Sequence, residues 1–231
     1  MSLVVPAVLP SSRADLEEKL ALFATLSPVR RVQIDVVDGT FASPASWPYN
    51  EPSIKSDLML GKMLPALDRL EYEVDLMCVD AEDAAAAWLA LGATRLTFHA
   101  ESTTNLPRLL ADARDRYGSF IAFGAAVDVA NSPAVIESSL GEVEYVQFMG
   151  IAHIGRQGEP FDRRVLERVR AFRRRHPDIP IQVDGGVSLE SAPALLAAGA
   201  TSLVVGSALL RADDPSAVVA AFEALKSSYG V

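Results

Sequence analysis

Short apolar-rich runs, several of them continuous, recur along the chain at 3–9, 31–36, 73–78, 94–99, 120–127, 143–149, 180–183 and 202–205. Parallel strands buried on both faces produce runs of this kind. The stretches between them follow a different rhythm. Over 11–26, 53–67, 81–91, 106–117, 132–140, 162–175, 189–198 and 216–225, apolar residues fall at the spacing of helices packed by one face. Leu16, Leu20 and Phe23 share the inner face of the first helix, and Ser11 or Ser12 is its expected cap. Gly92 stops the alanine-rich third helix. Eight strands alternating with eight helices predict an α/β fold with a parallel sheet. The count of eight, with no GxGxxG turn after the first strand, favours a closed (β/α)8 TIM barrel over an open doubly wound sheet. A single barrel domain over 1–231 is expected, because 231 residues lie close to the ~250 typical of this fold.

Composition narrows the partners. The formal net charge is −9, which argues against nucleic acid and anionic membrane as partners. The arginine-rich stretch 162–175 is read as a solvated helix face, since acids dominate elsewhere. A single cysteine, Cys78, excludes a disulfide framework and a cysteine zinc site, and fits a small buried apolar position. No apolar run reaches membrane-spanning length, and no basic region precedes the first one, so a cytoplasmic protein is expected. The loop 40–51 is long and aromatic. Its Phe41, Trp47 and Tyr49 predict a packed lid or a subunit contact, the latter pointing to a homo-oligomer.

The candidate chemistry sits at the strand ends, which share one mouth in a barrel. Asp35, Asp75, His99 with Glu101, Met149 and Asp184 all lie there. Asp35 and Asp184, distant in sequence, would face each other across the mouth. Two such carboxylates can take a proton from one face of a carbon and return one to the other, which is the inversion of a carbon beside a ketone. His99 either donates to a substrate oxygen or is a buried histidine satisfied by Glu101 or backbone. Met77 and Met149 form an apolar wall or ordinary core. Asp38-Gly39 reads as a turn. Gly185-Gly186 and Gly206-Ser207 end consecutive strands, where free backbone N–H groups suit a phosphate. Gly155 and Gly158, in the loop after the sixth strand, extend that site.

Asp35-Val36-Val37-Asp38-Gly39-Thr40-Phe41, Asp75-Leu76-Met77, Phe98-His99-Ala100-Glu101, Val183-Asp184-Gly185-Gly186 and Gly206-Ser207 follow one another in this order. Together they resemble the ribulose-phosphate 3-epimerases, over about residues 3–225. The resemblance implies a barrel of the ribulose-phosphate-binding type that interconverts ribulose 5-phosphate and xylulose 5-phosphate. It also implies that Asp35 and Asp184 act as acid and base and bind a divalent metal. The family's two metal histidines are replaced here by Gln33 and Asp75, and its P-G-F-G-G-Q loop by His153-Ile154-Gly155-Arg156-Gln157-Gly158.

The replacements change the expected metal chemistry. A cation held by Asp35, Asp75, Asp184 and the Gln33 amide oxygen would have an all-oxygen shell, suited to magnesium or manganese rather than zinc. Without a cation the three acids would repel, and at least one would hold a proton. Arg156 is a third way to neutralise the site, or a phosphate ligand. The expected function is therefore a ketose-phosphate 3-epimerase. The alternative is a catalytically inactive phosphosugar-binding paralogue. A lyase or synthase ranks behind both, because no lysine falls at a strand end.

Overall fold

Eight parallel strands close on themselves: β1 (Val4–Val8), β2 (Arg31–Val37), β3 (Glu71–Met77), β4 (Arg95–His99), β5 (Ala122–Val127), β6 (Tyr145–Met149), β7 (Ile181–Asp184) and β8 (Ser202–Val205), with β8 pairing back to β1. The structure, a computed structural model, describes residues 2–51 and 62–229. The expected (β/α)8 TIM barrel is thus present. The helices are α1 (Arg13–Thr25), α2 (Ala81–Ala90), α3 (Leu106–Tyr117), α4 (Arg164–Arg175), α5 (Ala192–Ala198), α6 (Ser207–Leu210), α7 (Pro215–Glu223) and α8 (Lys226–Tyr229). Ser12 caps α1 by accepting from the Asp15 backbone N–H.

Several boundaries differ from expectation. Most of the predicted 53–67 helix lies outside the described residues, and its described end, 62–67, is coil and turn. The 132–140 helix is a 3-10 helix, Pro133–Ser139. The segment 189–198 becomes helical only at Ala192, because Ser188 and Ser191 first form a hydrogen-bonded turn. Phe120, counted with the fifth strand, is 94% exposed in a 3-10 turn before it.

Strand side chains alternate between the barrel interior and the helix layer. The helix-facing set is apolar. Cys78 belongs to it and is fully buried. On α4, Val165, Leu166, Val169 and Phe172 are buried, which leaves most of its arginines outside as expected. Trp47 is also buried, edge-on to Trp88 with ring centroids 5.7 Å apart. Its loop is therefore packed onto the barrel, with Tyr49 exposed.

The interior is unusually polar. Arg31, Gln33 and Asp35 on β2 alternate, as do Glu71, Glu73 and Asp75 on β3, Arg95, Thr97 and His99 on β4, and Gln182 and Asp184 on β7. Val5, Ala7 and Val204 form the small apolar counterpart on β1 and β8. The lower layer is paired. Glu73 is buried against Arg95 at 2.9 Å and Arg31 at 3.4 Å. The Gln182 amide donates to Glu73, to Gln147 Oε1 at 2.8 Å and to Gln33 Oε1 at 3.1 Å. Tyr145 lies under Arg95 and bonds Thr97 at 2.7 Å. Its ring occupies the space a side chain at position 124 would need: a Cβ on Gly124 would lie 2.3 Å from Tyr145 Cζ.

Among the described residues, no helix is long and apolar enough to cross a membrane.

Candidate active site

The upper layer of the same alternation holds the acids. Asp35 and Asp75 are partners in the β2–β3 register, and Asp184 is the last residue of β7. One ligand atom from each of the three lies within 4.8 Å of the others. Gln33, one layer down and fully buried, links two of them. Its Nε2 donates to Asp35 Oδ1 at 2.8 Å and to Asp184 Oδ2 at 2.7 Å. Its oxygen accepts from Gln182. The amide thus presents its N–H side to the acids and not, as expected for a ligand, its oxygen.

Asp75 is also fully buried, and both its oxygens are engaged. Oδ1 meets His99 Nε2 at 2.9 Å, and Oδ2 accepts from Gln147 Nε2 at 3.1 Å. Burial alone would lower the His99 pKa, but Asp75 outweighs it and raises the imidazole to about 9. The expectation that His99 touches a substrate oxygen is therefore corrected. It is fully buried behind Asp75, outside the cleft, and its partner is that carboxylate rather than Glu101.

Asp35 and Asp184 remain at the cleft. Burial, then repulsion from Asp184 and Asp75, pushes the Asp35 carboxyl well above the usual range. Burial, then repulsion from Asp75, lifts Asp184 to about 7. Two acids so close, bridged by one neutral amide, repel, and each is pushed toward its protonated form.

The cleft gathers Asp35, Asp184, Met77, Met149, Gly155, Gly158, Gly185, Gly186, Gly206 and Ser207. Gln33, Asp75 and His99 lie beneath it. At the glycine end the backbone must come close. Gly186 has φ +65°, and a Cβ there would lie 2.6 Å from the Phe161 Cα. Arg156 lines the cleft and donates from Nε to the Ser43 carbonyl at 3.0 Å, tying the loop after β6 to the loop after β2. Asp38 makes the expected turn, accepting from the Thr40 and Phe41 N–H groups at 2.7 and 2.8 Å.

Sequence reasoning missed two groups of residues. Glu73, Gln147 and Gln182 hold the amides under the acids. Their signal was present, a polar residue two positions before each mouth residue on β3, β6 and β7. Gln157 and Arg211 flank the glycines. The Gln157 Nε2 is buried without a partner and lies 3.3 Å from where a Gly206 Cβ would stand; Arg211 Nη2 lies 2.9 Å from the same point on Gly158. No local pattern brings Arg211, on a turn after β8, to the loop after β6.

The donor set of Asp35, Asp75 and Asp184 fits a hard divalent cation. Three carboxylates converge, and two of them have raised pKa values that a cation would relieve.

Comparison with known proteins shows the family and the fold. Residues 3–210 match the family model described as "Ribulose-phosphate 3 epimerase family". The chain is 27% identical over 226 residues to a ribulose-phosphate 3-epimerase of Mycobacterium bovis, covering 95% of this chain and 90% of that protein. It is 28% identical over 188 residues to a ribulose-phosphate 3-epimerase of Bacillus subtilis, covering 79% and 81% of the two chains. Among solved structures it resembles 3-hexulose-6-phosphate synthase of Salmonella typhimurium, with TM-score 0.69, 14% identity, and 99% of this chain and 100% of that one covered. At that identity the likeness concerns the fold.

Proposed function

This chain belongs to the ribulose-phosphate 3-epimerase family, and on that premise we propose that it inverts C3 of a ketose phosphate through Asp35 and Asp184. The substrate pair is ribulose 5-phosphate and xylulose 5-phosphate or a related sugar phosphate. The supporting observation is the linked pair itself. Two carboxylates from different strands reach one cleft, share the Gln33 amide, and are both pushed toward protonation.

Such a pair supplies what inversion needs. The ionised member removes the C3 proton from one face, and the electron pair moves into the ketone to give an enediolate. The protonated member delivers its proton to C3 from the opposite face. The two acids end with exchanged protonation states, ready for the reverse reaction. Gln33 holds both carboxylates in place through either transfer. Met77 and Met149 wall the reacting carbon with apolar surface. A divalent ion held by Asp35, Asp75 and Asp184, magnesium or manganese in preference to zinc, would stabilise the enediolate oxygens.

The phosphate is held at the other end of the cleft. Gly155, Gly158, Gly185, Gly186, Gly206 and Ser207 offer backbone N–H groups, and Gln157 and Arg211 stand beside them. These local donors act against an overall charge of −9.

Incubation with ribulose 5-phosphate in deuterated water tests the proposal, with solvent deuterium expected at C3 of both epimers. Binding of the ketose phosphate without exchange would instead identify a catalytically inactive phosphosugar-binding protein. A homo-oligomer formed through the 40–51 loop, with its exposed Tyr49, is part of the same reading. Light scattering that shows only monomer at micromolar concentration would remove it.

A further inference from the structure

Behind the acid pair, on the side of β4 and β5, three buried polar atoms lack partners: His99 Nδ1, Glu101 Oε2 and Asp128 Oδ1. His99 ends β4, Glu101 lies in the 3-10 turn that follows it, and Asp128 follows β5. One ligand atom from each lies within 4.8 Å of the others. They make no hydrogen bond to one another. Buried polar atoms are almost always satisfied, so three unpartnered atoms on groups this close together need an explanation.

The remaining atoms of the same groups are already fixed. Glu101 Oε1 accepts from the Asp128 backbone N–H at 3.0 Å and from Asn131 Nδ2 at 2.8 Å. The fully buried His99 places Nε2 2.9 Å from Asp75 Oδ1. A metal-bound histidine characteristically donates its other ring N–H to a carboxylate, which fixes the tautomer and aims the free nitrogen at the ion. The Asp75–His99 pair has that arrangement, with Nδ1 as the free nitrogen.

We propose that His99 Nδ1, Glu101 Oε2 and Asp128 Oδ1 form a second cation site, separate from the Asp35, Asp75 and Asp184 cluster. One imidazole and two carboxylates suit a borderline divalent transition ion such as manganese, cobalt or zinc over magnesium or calcium. An ion there ties the ends of β4 and β5 together. Through His99 it also holds Asp75 beside the acid pair.

The probe is the metal alone, added to metal-stripped full-length protein. In pulsed electron paramagnetic resonance, bound manganese should show nitrogen coupling from His99, a signal an all-carboxylate site does not give. Equilibrium dialysis with cobalt should show at least tenfold weaker binding in Glu101→Gln and in Asp128→Asn, and no such loss at this site in Asp35→Asn. Circular dichroism of the metal-free variants checks their folding, and the wild-type manganese spectrum needs no variant. Three results would overturn the proposal. One is bound manganese without nitrogen coupling. Another is binding weakened in Asp35→Asn but not in Glu101→Gln or Asp128→Asn, which assigns the ion to the aspartate cluster. The third is no binding at all, which leaves a water as the bridging species.

Discussion

The barrel interior carries two polar layers built from the same strands, two residues apart, and they differ in how charge is resolved. In the lower layer, one buried acid, Glu73, is met by Arg31, Arg95 and the Gln182 amide. In the upper layer, three acids are met by two neutral amides, Gln33 and Gln147, and one imidazole. The lower layer is arranged for stability, since its charges are paired. The upper layer keeps a charge conflict that, with burial, raises Asp35 well above the usual carboxylate range and lifts Asp184 to about 7. Conflict of this kind, concentrated at a cleft, marks functional sites.

The sharpest way to break the comparison is to relieve the conflict. Asp35→Asn and Asp184→Asn should each lower epimerisation by about 10²–10⁴-fold, while thermal stability holds or rises because a repelling charge is gone. A variant that loses activity and stability together would place these acids with the structural layer. The residual chemistry distinguishes them further. Each variant keeps one carboxylate and should exchange deuterium, slowly, into only one of the two epimers. Exchange surviving in both epimers would show that the pair is not the acid–base couple.

Glu73→Gln should behave in the opposite way. It removes the buried carboxylate that meets both Arg95 and Arg31, with Arg31 keeping Glu71, and should cost about 3 kcal/mol of unfolding free energy, read by chemical denaturation. Activity per folded molecule should be largely kept.

Acidity sharpens the contrast more gently. Asp184 titrates near 7 in the folded chain, far above its unfolded value of 3.8. Between these two points the folded state binds more protons than the unfolded one, so this group makes stability fall as pH rises from about 4 to 7. Measured with a chelator present, Asp184→Asn should flatten that part of the stability curve. An unchanged slope would mean that Asp184 is not raised.

The smallest effect is expected at the glycine end of the cleft. Gly206→Leu should fill the space beside Gln157 and raise KM by about tenfold with kcat changed less. A fall in kcat with KM unchanged would separate Gly206 from phosphate binding.

Much of this was legible in the chain. Apolar-rich runs marked the strands because their helix-facing residues are apolar and several interior ones are too, and their number led to the barrel. Asp35 and Asp184 stood out because each lies at or near the end of such a run, ahead of a glycine-bearing turn. Helix boundaries were less legible where side chains compete with the backbone, as Ser188 and Ser191 do before α5. The supporting Glu73, Gln147 and Gln182 were written in the period-two alternation of their strands.

The sequence by itself determined the order of elements, which residues end the strands, and an excess of acid at the mouth. Only the tertiary structure decided which acid meets which partner. His99 bonds Asp75 rather than substrate, and Gln33 turns its N–H groups to the carboxylates because Gln182, 149 residues away, takes its oxygen. The physical reason is that strand periodicity is a local property of the chain. Barrel closure, by contrast, brings β2, β3, β4, β6 and β7 into one small interior. There each donor's direction is set by acceptors that no neighbouring residue supplies.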